Sequence, residues 1–303
     1  MTIHYPYRGL CTLFGGIFLL ISLLFSTGVR ATPLLLGDQT SYDLAGHIEL
    51  LKDPALKMSF SEVLKAEEKG RFHHIDGNLN NGYKREACWV RFTLERNASF
   101  PEASWLRLKP NYINELTLYI QTPGKDPALL SSYHTVRLGN HIPALQRPVL
   151  HPDFVVPVVL PVSEPLTVYA RVFSKSSISL AGRIHTTEDL RDFTNHHIIL
   201  QSLFLGIALT LLVINIIFYV LIRDTLFLYY SLYLLAGVIF NFAAEGHLTL
   251  LFPSLVHIVS DYLIYGGIGA NILVYSEFSA NSFFRLPVHG ASAICDCCHW
   301  LVF

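Results

Sequence analysis

The segment Cys88-Trp89-Val90-Arg91-Phe92-Thr93-Leu94 alternates with a strict period of two. Cys88, Val90, Phe92 and Leu94 fall on one side of an extended chain, and Trp89, Arg91 and Thr93 on the other. The same pattern recurs outward from it. Leu106 and Leu108 alternate with Trp105, Arg107 and Lys109. Leu116, Leu118 and Ile120 alternate with Glu115, Thr117 and Tyr119. Leu166, Val168, Ala170 and Val172 alternate with Thr167, Tyr169 and Arg171, and Ile178, Leu180 and Ile184 with Ser179, Arg183 and His185. Phe154–Leu160 is a further apolar run in which Pro157 marks an edge or a bulge. Ser59 with Glu62 three residues on predicts a capped short helix through Lys69, and Asn80-Asn81-Gly82 is a turn signal. Many short strands without helical periodicity predict an all-β sandwich or jelly roll over residues 32–190.

The polar side of these runs gathers Trp89, Arg91, Trp105, Arg107, Tyr119, Tyr169 and Arg171. Aromatic planes beside guanidinium donors suit a sugar, whose ring faces stack and whose hydroxyls accept hydrogen bonds. These seven residues are therefore the candidate ligand-binding set, with cross-strand aromatic–Arg pairing or a second buried layer as the structural alternative. No nucleophile elbow, zinc spacing or phosphate loop occurs in residues 32–197, so the sequence points to no catalytic residues, no metal and no cofactor.

Composition divides the chain. Only 15% of its 303 residues are charged and the mean hydropathy is +0.40. An ordinary soluble domain carries about 25% charged residues. Residues 32–197 balance 18 basic against 18 acidic side chains, which argues against a nucleic-acid partner. Residues 198–303 hold seven charges in all. At the N-terminus Arg8, the apolar run Cys11–Phe25 and the Val29-Arg30-Ala31 triplet have the layout of a secretory signal peptide over residues 1–31, with an uncleaved anchor as the alternative. Cys88 is the only cysteine of the exported part, so no internal disulfide can form there.

Residues 191–285 read as membrane helices, with spans at about 198–222, 225–244 and 262–278. With the globular part outside, Arg223 and Arg285 fall on the cytoplasmic side, and the loop from Glu245 to Asp261, free of Lys and Arg, falls outside. Asn215 and Asn241 sit inside the spans and predict helix-packing contacts or a relay. Gly206 and Gly266-Gly267 predict close helix approach.

In their order and spacing several motifs resemble a known family. They are Asn81-Gly82-Tyr83, Cys88–Leu94, Trp105-Leu106 and Glu115–Tyr119 in the exported part. Leu205-Gly206, Asn215, Tyr219, Arg223-Asp224, Tyr229-Tyr230, Glu245-Gly246 and Leu251-Phe252-Pro253 follow in the membrane part. Together they are similar to the bacterial seven-transmembrane receptors with diverse intracellular signalling modules. The resemblance implies a type 2 jelly-roll extracellular domain that senses a small molecule such as a carbohydrate. It also implies a helix bundle in the bacterial inner membrane and a cytoplasmic signalling module as partner. That module is absent from this sequence. Residues 286–303, with Cys295, Cys297 and Cys298, depart from the pattern, and the expectation is a frameshifted or truncated tail. The competing readings are a membrane-tethered carbohydrate-binding protein, a non-functional product and a jelly-roll hydrolase.

Overall fold

The computed structural model describes residues 31–285 apart from Ser163 and Leu255. The expected signal peptide, save Ala31, and the cysteine-rich tail lie outside the described residues.

Among the described residues the alternating runs become part of a set of twelve strands. These are β1 (Leu34–Leu36), β2 (Ser41–Asp43), β3 (Ile48–Asp53), β4 (His73–Ile75), β5 (Leu79–Gly82), β6 (Ala87–Arg96), β7 (Ala103–Lys109), β8 (Glu115–Gln121), β9 (Tyr133–Leu138), β10 (Phe154–Val159), β11 (Leu166–Phe173) and β12 (Ile178–His185). One sheet runs β4-β3-β6-β11-β8-β9, with β1 parallel to β6; the other runs β10-β7-β12-β2, with β5 also on β12. All other pairings are antiparallel. The inward sides are those the alternation assigns. Val90, Phe92, Leu94, Leu118 and Val168 from one sheet pack with Leu106, Leu108, Phe154, Val156 and Ile184 from the other in one buried core. Each such side chain contributes about 1.5–3 kcal/mol by leaving water.

One local expectation is met and one changes. Pro157 lies on β10, which is an edge strand, where its missing N–H leaves no gap in the sheet. Asn80-Asn81-Gly82 forms part of strand β5 rather than a free turn. Gly82, at φ +66°, sits where the pairing with β12 shifts register, so the glycine that signals a turn makes a bulge.

Helix α1 (Phe60–Glu68) forms where the cap predicts: the Glu62 carboxylate accepts from the Ser59 N–H at 2.8 Å. It lies on the outer face of the larger sheet and buries Phe60, Val63 and Leu64 against Leu51, Trp89 and Tyr169. Four helices follow: α2 (Thr187–Ile222), α3 (Thr225–Ala244), α4 (Leu248–Leu251) and α5 (Val256–Arg285). α2 and α3 are each long and apolar enough to cross a membrane. α5 contains the third expected span and ends at Arg285; it packs on α3 through Tyr230–Phe278 and Tyr233–Tyr275, and Gly267 sets it directly on the Phe240 backbone. Arg223, in the left-handed region at φ 61°, makes the turn between α2 and α3.

α2 begins one residue after β12, with the Thr186 hydroxyl accepting from the Asp189 N–H. At 1.5 Å per residue its 36 residues span about 54 Å, against about 30 Å of hydrocarbon. Its first turns therefore belong to the extramembrane part, packed on β7 and β12, and the last strand of the sandwich runs straight into a membrane helix.

Candidate functional site

Strand register fixes a grid on the outer face of the larger sheet. One row reads Leu51, Trp89, Arg171, Thr117, Arg137, and the next Glu49, Arg91, Tyr169, Tyr119, Thr135. α1 covers the β3–β6 end of the grid. Beside it, over β11, β8 and β9, lies an open cleft of about 640 Å³. Trp89, Tyr119 and Arg171 line it, joined by Thr117, Arg137 and Glu115 from the sheet, Lys57 from the loop before α1, and His141 from the loop after β9.

The seven candidate residues thus divide three ways. Trp89, Tyr119 and Arg171 reach the cleft. Arg91 and Tyr169 share their face but are engaged by α1: Arg91 lies 2.8 Å from Glu49 and 3.0 Å from Glu67, and the Tyr169 hydroxyl donates to Glu67. The expectation of a single open face is therefore corrected. Trp89 and Tyr169 are both 1% exposed, because a helix covers what alternation alone marks as solvent-facing. Trp105 and Arg107 lie on the other sheet, on strand β7, facing α2. The Trp105 Nε1–H donates to the Thr187 hydroxyl at 3.1 Å. Arg107 is buried: it donates to Asp153 at 3.0 Å and to His185 Nε2 at 3.1 Å, with its guanidinium 3.9 Å from the Phe193 ring centre. Period two tells which side of a strand a residue occupies but not which sheet carries the strand.

Stacking in the cleft is also altered. Phe60 lies parallel to Tyr119 with ring centres 4.0 Å apart, so α1 occupies one face of the ring. What remains open is mostly donors: Arg171, Arg137, Lys57, Thr117 and Thr135. Glu115 is the one carboxylate of the lining and lies 3.4 Å from Arg171. The lining residues include no second carboxylate, so the two-carboxylate arrangement of glycoside hydrolysis is not among them.

Lys57, Arg137 and His141 escape the sequence reading. β9 (sequence YHTVRL) has only Val136 and Leu138 as its apolar signal, followed by the Gly139-Asn140 turn. That turn is exacting. Gly139 has φ +126°, and a Cβ there would meet the Asn114 carbonyl oxygen at 2.3 Å. It delivers Asn140 and His141 to helix α5: the Asn140 amide donates to Asp261 at 2.8 Å, and His141 Nε2 lies 3.3 Å from the same carboxylate. Cleft and helix therefore share one loop.

In the membrane part Asn215 donates to the Leu211 carbonyl one turn back at 2.8 Å. Among the described residues its amide is thus met within its own helix. Asn241 lines a cavity of about 220 Å³ between α2 and α3, together with Gln201 and His247. His197 Nε2 lies 3.3 Å from Glu245, tying the entry of α2 to the exit of α3.

The sequence model of the 7TMR-DISM extracellular 2 domain matches residues 45–186, and that of the 7TM diverse intracellular signalling region matches residues 197–303. No curated protein matches the chain. Among solved structures, the chain is similar to a periplasmic inhibitor of g-type lysozyme (PliG) from Aeromonas hydrophila. Identity is 12% and the TM-score 0.22, over 51% of this chain and 97% of that one. It is also similar to TmCBM61 in complex with β-1,4-galactotriose, at 6% identity and TM-score 0.22, over 48% of this chain and 84% of that one.

Proposed function

Because this chain belongs to the 7TMR-DISM family of sensory membrane receptors, its β domain outside the membrane, we propose that the cleft beside α1 is its sensory site. In this reading a small molecule, a carbohydrate by class, binds from the periplasmic side of a bacterial inner membrane. Its occupancy biases the helix bundle, which passes the bias to a cytoplasmic signalling module. Trp89, Tyr119 and Arg171 are the ligand-facing residues from the sheet.

The observation that carries the reading is His141. It lines the cleft and, through Asp261, contacts the first turns of α5. A ligand that moves or fixes this loop changes the docking of a membrane helix without any distant relay. Donor-rich walls favour an acceptor-rich polyol, which is the support for a carbohydrate.

The test uses the full chain in lipid nanodiscs, a sugar panel and peptide-resolved hydrogen exchange. A binding sugar is expected to slow exchange at residues 139–142 and at 256–264 together. In Asp261→Ala, slowing should persist at 139–142 and vanish at 256–264. If no sugar or related metabolite slows exchange around the cleft, the cleft is not the sensory site; if both segments still respond in the variant, the loop is not the link.

A further inference from the structure

We propose that the ligand of this cleft is an acidic sugar, a hexuronate whose carboxylate is held by the row of guanidinium groups on β11 and β9. The inference rests on reading the cleft as the sensory site and adds the charge of what it takes.

Register aligns Arg171, Thr117 and Arg137 in one row across β11, β8 and β9. The two Arg backbones stand two strand spacings apart, about 10 Å, with a hydroxyl between them. Arg side chains at this separation can close on a carboxylate from either side, and each can present a two-pronged donor. Lys57 adds a third cation. Arg137 and Lys57 are both exposed, and among the described residues neither has an ion-pair partner. Against these three cations the lining sets only Glu115. A cleft that holds more cations than acids is incomplete without an anion.

Two further observations point the same way. The buried indole N–H of Trp89, in the cleft lining, has no hydrogen-bond acceptor among the described residues. A buried donor without an acceptor is uncommon, and an acceptor-rich ligand meets this one if the cover of Phe60 over the indole shifts on binding. In the same wall Leu56 holds φ 58°, a left-handed conformation that branched apolar residues avoid and that clusters at binding sites. Aromatic stacking is the usual means of holding a neutral sugar, and Phe60 already takes one face of Tyr119. Charge and hydrogen bonds are left to do the recognition. The hydroxyls of Thr117 and Thr135 suit the ring hydroxyls that separate a sugar acid from a bare inorganic anion.

The experiment is calorimetric titration of the full chain in nanodiscs. Galacturonate, glucuronate and mannuronate are each compared with the parent neutral hexose and with inorganic sulfate, at low and at high salt. We expect one hexuronate to bind at least about tenfold tighter than its neutral parent, a margin that narrows as salt rises. Arg137→Gln and Lys57→Gln, exposed and outside the core, should each weaken the acid several-fold and the neutral hexose by less, so that the margin between the two shrinks. Equal or tighter binding of the neutral hexose overturns the charge assignment and leaves the sensory cleft standing. Sulfate binding as tightly as the hexuronate overturns the sugar. Binding of nothing in the panel, with exchange at the cleft unaffected, removes both readings.

Discussion

His185 shows how a single residue can join the sandwich to the membrane helix. It is 1% exposed, at the end of β12. Arg107 can only donate, so its contact with Nε2 makes that nitrogen the acceptor and leaves Nδ1–H to donate to Asp189, on the first turn of α2. The arrangement needs a neutral imidazole. Burial holds the His185 pKa below its ordinary value; the Asp189 bond opposes this, and the nearby Arg107 and Arg183 reinforce it. His151, which bonds Thr194 of α2, is shifted the same way by burial. A histidine whose folded pKa is depressed stabilises the fold above its unfolded value and loses that contribution as pH falls toward the folded one. Protonated Nε2 would also face the Arg107 guanidinium. Acidification below about pH 6.5 is therefore expected to loosen the β12–α2 joint, read as faster hydrogen exchange at residues 186–195. His185→Gln should flatten that pH dependence. Exchange that is unchanged between pH 7.5 and 5.5 would sink the idea.

At the scale of elements, α1 is both cover and wall. Its Phe60 stacks on Trp89 and Tyr119 and meets Tyr133 and Tyr169 edge-on. This cluster is separate from the main core, so its loss should be local. Phe60→Ala is expected to cost about 3 kcal/mol in the stability of α1 against the sheet. Exchange in residues 60–68 should rise while that of β6 and β11 stays slow, and ligand affinity should fall because the cleft loses a wall. Global unfolding in place of local exchange would show that the two clusters are one cooperative unit. The sheet was largely legible beforehand because Val90, Phe92, Leu94 and their counterparts obey period two, a property of the strand itself. The short strands β1, β2, β4 and β9 were not, since three to six residues carry too little alternation to stand out from a loop. α1 was legible from Ser59 and Glu62, but its resting place was not. A cap specifies where a helix begins, and only tertiary packing decides that Phe60 covers Trp89. For the same reason alternation alone groups Trp105 and Arg107 with residues of the opposite sheet.

For the whole molecule, the sandwich and the helices meet on one side, and the contacts set the topology. Gly246, at φ +76°, lies just after α3, and a Cβ there would meet Asn111 Nδ2 at 2.5 Å and the Pro152 carbonyl oxygen at 2.8 Å. The Ala144 N–H donates to the Pro253 carbonyl, and Asp261 receives Asn140. Gly246, Pro253 and Asp261 therefore touch the sandwich, and they belong to the loop that is free of Lys and Arg, which the positive-inside rule expects on the outer side. α2 descends from the sandwich, and the positive-inside rule predicts that Arg223 at its far end lies across the bilayer from this contact. The contact of the loop comes from side-chain packing, and the expectation for Arg223 comes independently from charge. Cysteine scanning checks them together in a chain whose native cysteines are replaced by serine. A membrane-impermeant maleimide applied to spheroplasts should label Ser254→Cys, an exposed position in the docked loop, without permeabilisation. Arg223→Cys should label only after the membrane is opened. Labelling of both sites in sealed spheroplasts would place the α2–α3 turn outside, and α2 would then be a helix lying along the surface rather than a span.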